Sequence, residues 1–414
     1  MTESINGDKA PRRPSHKGIR FAPLKIPLGR RLQTLAVLFH SIALPYCVGL
    51  FFLLIAFPPF WPLLIAYVIF AYWVDKSFSN GQIANRRSPF FRRLPLFRLF
   101  CDYFPIRLHR EIELEPTFPN RLREPSGYVE LWLAHLFGMQ DAVVVNESES
   151  DNDDASIKMD DVTQKESKLG PRYVFGYHPH GIVSLGAFGG IGTEGAGWEK
   201  LFPGIPVSLL TLESNFSLPF YREYILPLGV ASVSRKSCTA LLEHNQSICI
   251  VIGGAQESLL ASPSSMDLII KKRLGFVKLA MSAPPNGSAG TCLVPILSFG
   301  ENDAYDQVRS DHTSLLYRIQ TLIKRHVGFT LPLMHARGIF NYDFGLMPYR
   351  RPINIVVGTA IKVPYVATPT EAEVKKYHLI YMKELQRLWD THKDKYVTDW
   401  TGKGLDSINL KFVE

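Results

Sequence analysis

The chain has 414 residues, 46% of them hydrophobic, and a formal net charge of +8. That length can bury a large core and hold more than one domain, while five cysteines, an odd number without Cys-x-x-Cys spacing, indicate neither a disulfide framework nor a zinc site. The dense positive clusters flank an apolar stretch rather than a recognisable nucleic-acid module, so membrane lipids with anionic head groups are the expected partner and nucleic acid is not.

Residues 1–33 are polar, basic and punctuated by prolines, the composition of a disordered tail beside a bilayer. No Asp, Glu, Lys or Arg occurs in 35–74. Within it, 35–57 is long enough to cross a hydrocarbon layer of roughly 30 Å as a helix and 60–74 is marginal for that task. Pro58, Pro59 and Pro62 between them cannot continue a helix, which predicts a transmembrane helical hairpin over 34–75. A polar lead of this length does not suit a cleaved signal peptide. Arginines and lysines on both flanks place both ends in the cytosol by the positive-inside rule, so the Asn-x-Ser sequons at Asn146, Asn215, Asn245 and Asn286 are expected to stay unmodified. The competing reading is a buried hairpin of a soluble protein. Across 85–100, within a basic segment 76–118, arginines interleave with Phe and Leu, a composition suited to lying in the interface or to a soluble amphipathic helix.

An insertion over 119–170 contains an acidic, polar stretch, 146–166, that cannot bury enough apolar surface to order itself. From 171 to 414 the sequence becomes globular. Strand-like runs at 173–177, 207–212, 247–252, 293–299 and 353–361 alternate with helical patterns at 267–281 and 312–326. Thr368-Pro369-Thr370-Glu371 resembles a capping box opening a helix to about 393. Alternation of this kind predicts an α/β fold with a mixed sheet flanked by helices.

The run 173–177 leads into His178-Pro179-His180-Gly181. Proline fixes its own φ and drives the preceding residue towards extended geometry, so the two histidines are expected to project to one side, with Gly181 free to turn. The plain alternative is a turn with two ordinary histidines. A neutral imidazole, with a reference pKa of about 6.5, can take a proton from a hydroxyl. No His-Glu-x-x-His or similar spacing occurs, so no metal is expected. Further segments line up with these residues: Tyr103-Phe104-Pro105, the cations Arg235 and Lys236, the turn Gly253-Gly254 leading to Glu257, Arg273-Leu274-Gly275-Phe276, and Val294-Pro295 followed by Phe299-Gly300-Glu301.

Together and in this order, these motifs resemble the type-2 diacylglycerol acyltransferase family across most of the chain. The acidic stretch and 282–292 depart from the family pattern. The resemblance implies an integral membrane enzyme of the endoplasmic reticulum, also found at lipid-droplet contacts, that moves a fatty acyl group from acyl-CoA to diacylglycerol. Its catalytic domain, 171–414, would face the cytosol, with acyl-CoA as co-substrate and no further cofactor. His178 is then the expected general base, with His180 assisting. A more distant likeness runs to glycerolipid acyltransferases with a His-x-x-x-x-Asp pair, but Val183 and Leu185 stand where that aspartate would fall. Glu257 is therefore the candidate carboxylate that orients the base; a salt-bridged loop glutamate is its plain reading. Gly181, Gly253 and Gly254 would let substrate approach the backbone, and Arg235, Lys236 and Arg273 would engage coenzyme A phosphates. Tyr103, Phe104 and Pro105 are candidate substrate contacts whose plain reading is packing beside the membrane. With no Gly-x-Ser-x-Gly elbow, direct transfer is expected rather than an acyl-enzyme. The alternatives are an acyltransferase acting on monoacylglycerol or a fatty alcohol, and a non-catalytic lipid-binding scaffold; a homo-oligomer is compatible with each.

Overall fold

The computed structural model describes residues 19–23, 25–119, 169–307, 333–402 and 404–414. The expected helix at 312–326, the acidic stretch 146–166 and most of the N-terminal tail lie outside them. The charge-free run forms helix α1 (Leu28–Ile55), the one helix among the described residues long and apolar enough to cross a membrane. It buries a stripe of small residues, Ala36, Val37 and Ala43, against helix α2 (Pro95–Tyr103), while Phe52, Leu53 and Leu35 stay exposed. At Phe57 the backbone becomes extended, and Pro58 opens a new helical run of shorter pieces ending at Val74.

Of the arginines after this run, Arg98 is exposed, whereas Arg92 and Arg93 turn towards protein partners. Arg92 is fully buried, donates to the carbonyls of Ile191 (3.0 Å) and Gly192 (2.8 Å), and pairs with Glu194 at 2.9 Å. Arg93 pairs with Glu199 at 2.7 Å, and Phe97 and Phe100 enter the core. A buried guanidinium survives only where its donors are satisfied, which these partners provide.

Strands follow in chain order: β1 (Ile106–Arg110), β2 (Arg172–His178), β3 (Val207–Thr211), β4 (Ala231–Ser232), β5 (Ser247–Val251), β6 (Met266–Ile269), β7 (Thr291–Phe299), β8 (Asp306–Gln307), β9 (Met334–His335), β10 (Ile353–Val357), β11 (Ile361–Val363) and β12 (Leu410–Val413). The main sheet is mixed and runs β1-β10-β7-β2-β5-β3-β4, with β11 also on β7. Every residue of β2 and β7 is buried, which is why both read as near-continuous apolar runs rather than as alternation. The strands β7, β2, β5, β3 and β4 are mutually parallel, so their carboxyl ends emerge at one edge. β10 is antiparallel to β7 and β1 parallel to β10, which brings the start of β1 to that same edge.

Two segments depart from the expected elements. The run 353–361 divides into β10 and β11 on either side of Gly358, whose N–H bonds the carbonyl of Pro295 at 2.9 Å. Pro295 sits inside β7 and has no N–H for the ladder, so the outer strand breaks beside it. The first part of the expected helix 267–281 is instead β6, paired with the C-terminal β12, and the helix α3 begins only at Gly275 (Gly275–Ser282). The last helix, α4 (Glu371–Tyr396), is capped two residues later than expected: Thr370 accepts from the Glu373 amide at 3.3 Å, and the Glu373 carboxylate accepts from the Thr370 amide at 2.8 Å.

Candidate active site

The histidine turn leaves the carboxyl end of β2 between the ends of β5 and β7. Gly176 makes this arrangement possible, because a Cβ there would lie 2.0 Å from the Tyr381 hydroxyl of α4. That hydroxyl donates to the Gly176 carbonyl at 3.1 Å and lies 3.1 Å from Nε2 of His178. Having spent its proton on the carbonyl, it accepts from Nε2–H, which leaves the His178 lone pair on Nδ1. Nδ1 has no hydrogen-bond partner among the described residues, and the ring is wholly buried. Burial, with His378 nearby, pulls the His178 pKa down to about 3, so the imidazole is neutral.

His180 differs in exposure and in tautomer. It is half-buried, and its Nδ1 lies 2.9 Å from the Gly181 carbonyl, which can only accept. The proton therefore sits on Nδ1 and the lone pair on Nε2. Burial lowers its pKa too, against the opposing effect of that carbonyl. The two rings consequently occupy different settings, one enclosed against Tyr381 and the other partly buried beside Gly181.

Glu257 stands in the short turn after β5 and is buried. One carboxylate oxygen accepts from the His180 amide at 2.5 Å and the other from the Ile269 amide at 2.7 Å. It thus grips the main chain of the histidine turn, not an imidazole as expected. Burial pushes its pKa up to about 7, with those two amides and Arg273 opposing. Gly253 is dictated by this carboxylate, since a Cβ there would lie 2.2 Å from its carbon and Oε2. Gly254 has φ +62°, a region that favours glycine.

On the other side of the turn stands Glu301, just after β7. It accepts from the Tyr177 hydroxyl at 2.6 Å and the Gly186 amide at 3.0 Å, and burial raises its pKa to about 7. Gly181 packs against it so closely that a Cβ would lie 2.7 Å from Glu301 Cγ. The sequence displayed Glu301 in a motif without a role and gave no sign of Tyr381. The signals were the glycines: Gly176 and Gly186 interrupt otherwise bulky segments where a hydroxyl and a carboxylate approach closely.

The structure brings His178, His180, Gly181, Gly253, Gly254 and Glu257 together. Arg273 joins them through a 3.4 Å bond to the Gly253 carbonyl, with its side chain exposed. Arg235 and Lys236, also exposed, follow β4, three strands from β2 on the same edge, at about 15 Å from strand spacing alone. Tyr103 and Phe104 are fully buried, and the Tyr103 hydroxyl is occupied by the Pro348 carbonyl at 2.7 Å, so both pack rather than line the turn. Pro105 is exposed where the chain enters β1.

A model of the diacylglycerol acyltransferase family matches residues 53–121 and 157–403, which span the histidine turn, both glutamates and the whole sheet. This chain belongs to that family. It is 42% identical over 396 residues to diacylglycerol O-acyltransferase 1 of Saccharomyces cerevisiae, covering 94% of this chain and 88% of that protein. Diacylglycerol O-acyltransferase 2 of Dictyostelium discoideum is 39% identical over 93% of this chain and 98% of its own length. The 2-acylglycerol O-acyltransferase 1 of Bos taurus is 36% identical over 91% and 96%. No solved structure matches the chain.

Proposed function

We propose that this family member is an acyl-CoA:diacylglycerol O-acyltransferase, held in the endoplasmic reticulum membrane with its catalytic domain in the cytosol and able to reach lipid droplets. Family membership and the diacylglycerol O-acyltransferases of 39–42% identity support the activity. Helix α1 supports the anchor, and the prolines after it favour a turn and a return across the bilayer as a hairpin.

In the mechanism we infer, the diacylglycerol hydroxyl gives its proton to Nε2 of His180 while its oxygen attacks the thioester carbonyl. The tetrahedral intermediate then expels coenzyme A as a thiolate, and the imidazolium returns the proton to it. The observation that carries this assignment is that His180, unlike the wholly buried His178, is only partly buried and has its lone pair on Nε2. Sequence alone favoured His178, but that ring is enclosed and its free nitrogen is buried, which suits a positioning role. Glu257 holds the His180 backbone in place. Arg273, exposed beside the Gly253-Gly254 turn, is the nearest candidate for coenzyme A phosphate, and Arg235 and Lys236 lie further along the edge.

The test is turnover in washed membranes at equal protein level. H180A should lose about 10²–10⁴-fold, the usual contribution of a general base, while H178A should lose less and show a lowered thermal midpoint. The reverse ranking would return the base role to His178. A second reading, transfer to a monoacylglycerol, is favoured by the 2-acylglycerol O-acyltransferase relative. Labelled acyl-CoA offered with diacylglycerol, monoacylglycerol and fatty alcohol in separate incubations decides between them by which product accumulates fastest.

A further inference from the structure

Between β9 and β10 the chain turns back on itself in a tightly bonded loop. Arg337 and Met347 exchange amide-to-carbonyl bonds of 2.9 Å each way, and Asn341 Oδ1 accepts from the amides of Asp343 (3.1 Å) and Phe344 (2.9 Å). Yet this ordered loop turns its large apolar groups outward: Phe340 is 76% exposed, Phe344 71% and Leu346 68%, with Phe21 beside them at 74%. Apolar groups clustered on a rigid, self-bonded loop mark a surface that meets something apolar.

The loop is fastened to the start of α1. The Ala22 amide donates to the Phe340 carbonyl at 2.8 Å, the Tyr342 amide to the Arg20 carbonyl at 3.0 Å, and the Arg20 guanidinium grips Asp343 at 2.7 and 3.0 Å. Just beyond the loop, Arg350 donates to the Gln33 side chain (2.5 Å), the Arg30 carbonyl (2.8 Å) and Thr34 Oγ1 (3.1 Å). Its guanidinium lies 4.0 Å from the centre of the Tyr103 ring, so the buried tyrosine of the Tyr-Phe-Pro motif backs this joint.

These bonds set the height of the loop along the helix. α1 has 28 residues, about 42 Å at 1.5 Å per residue, against a hydrocarbon layer of about 30 Å. The surplus falls at the end carrying Arg30 and Arg31, because cations are costly deeper in. Arg30, Gln33 and Thr34 therefore stand at the head-group level, and the loop bonded to them stands there too. Exposed Lys25, Arg30 and Arg31 complement anionic head groups at the same level.

We propose that the loop 338–346, together with Phe21, is an interfacial wedge whose apolar side chains enter the leaflet holding the start of α1, fixing the height of the catalytic sheet against the bilayer. The proposal rests on the reading of α1 as membrane-spanning. It gives the membrane a second hold, on the loop ahead of β10 and close to the edge where the histidine turn emerges.

The test places an environment-sensitive fluorophore on single introduced cysteines in the full chain carrying C47A; the other four native thiols are buried. F344C reports the loop, F52C the interior of α1, and D390C an exposed position in the last turns of α4, two residues before His392, which bonds Glu111 just past β1. The proteins are reconstituted into phosphatidylcholine vesicles containing phosphatidylserine. Nitroxide on the upper acyl chain should quench F344C several-fold more than D390C, and aqueous iodide should do the opposite. If F52C is quenched by lipid while F344C is quenched by iodide like D390C, the wedge is wrong and the membrane helix stands. If F52C also escapes lipid quenching, the helix reading fails and the wedge with it. Shielding of F344C from both quenchers would mean that protein covers the loop, from a second copy or the chain's own first residues, and would overturn the proposal as well.

Discussion

The histidine turn is held by contacts that act on its main chain and on its tautomers. Glu257 and Glu301 are both buried carboxyls with pKa values raised by burial to about 7. For Glu257, the folded chain keeps a proton between the ordinary 4.5 and about 7 that the unfolded chain releases. Its contribution to stability is therefore present at low pH, declines as pH rises through that window, and is gone above it. His178 has the opposite sign: the unfolded chain binds a proton between about 3 and 6.5 that the folded chain does not, so its burial costs stability as pH falls below 6.5. E257Q should be less stable than the unaltered protein, and its deficit in thermal midpoint in detergent should shrink as pH rises from 4.5 to 7, where Glu257 itself loses its contribution; a deficit independent of pH would remove Glu257 from this account. Gly176 offers a separate check. G176A forces a methyl into the Tyr381 hydroxyl and toward Ile252 Cδ1, which lie 2.0 and 2.5 Å from the ideal Cβ. Overpacking of this kind costs about 1–3 kcal/mol, and Y381F, by removing the hydroxyl, should recover part of the lost stability in the double variant. Strict additivity of the two in denaturation would show that the contact is not the cause. At this scale the sequence displayed the histidines and Glu257 because they sit in contiguous motifs. It concealed Tyr381 because a long amphipathic helix carries no local mark of which tyrosine faces a strand 205 residues away.

At the scale of elements, legibility followed the range of the interaction. Four of the five expected strands form close to their expected limits, since strands buried on both faces write themselves as apolar runs. The fifth broke beside Pro295, and β6 was hidden because its partner, β12, lies at the other end of the domain. In the basic segment, periodicity separates an amphipathic helix from other structure but does not say whether lipid or protein covers its apolar side, and here Phe97 and Phe100 meet the core. The cap of α4 tests the local reading directly. T370A removes the acceptor for the Glu373 amide and should lower stability by about 1 kcal/mol, seen as a reduced thermal midpoint with turnover at ambient temperature unchanged. T368A should leave the midpoint where it is, and a larger loss with T368A than with T370A would restore the register first expected from sequence.

For the whole molecule, parallel topology gathers what the sequence scatters. His178 and His180, Glu257, and Glu301 follow β2, β5 and β7, neighbours whose carboxyl ends share an edge, the usual place for a site in an open α/β sheet. Composition and charge displayed the long apolar helix α1, because the absence of charge across 35–74 is a one-dimensional property, whereas the second helix expected there is a run of shorter pieces. Sheet order is not, and the clamp of two glutamates around one turn follows only from it. The account's central claim is that this turn accepts the proton of the bilayer-dissolved hydroxyl during direct acyl transfer. It is tested most directly by expressing the full chain, and its H178A/H180A variant at equal membrane level, in a host unable to make neutral lipid, and measuring labelled triacylglycerol formed by washed membranes from acyl-CoA and diacylglycerol. The account predicts robust synthesis by the unaltered protein and a background rate for the variant. Equal synthesis by both would contradict it.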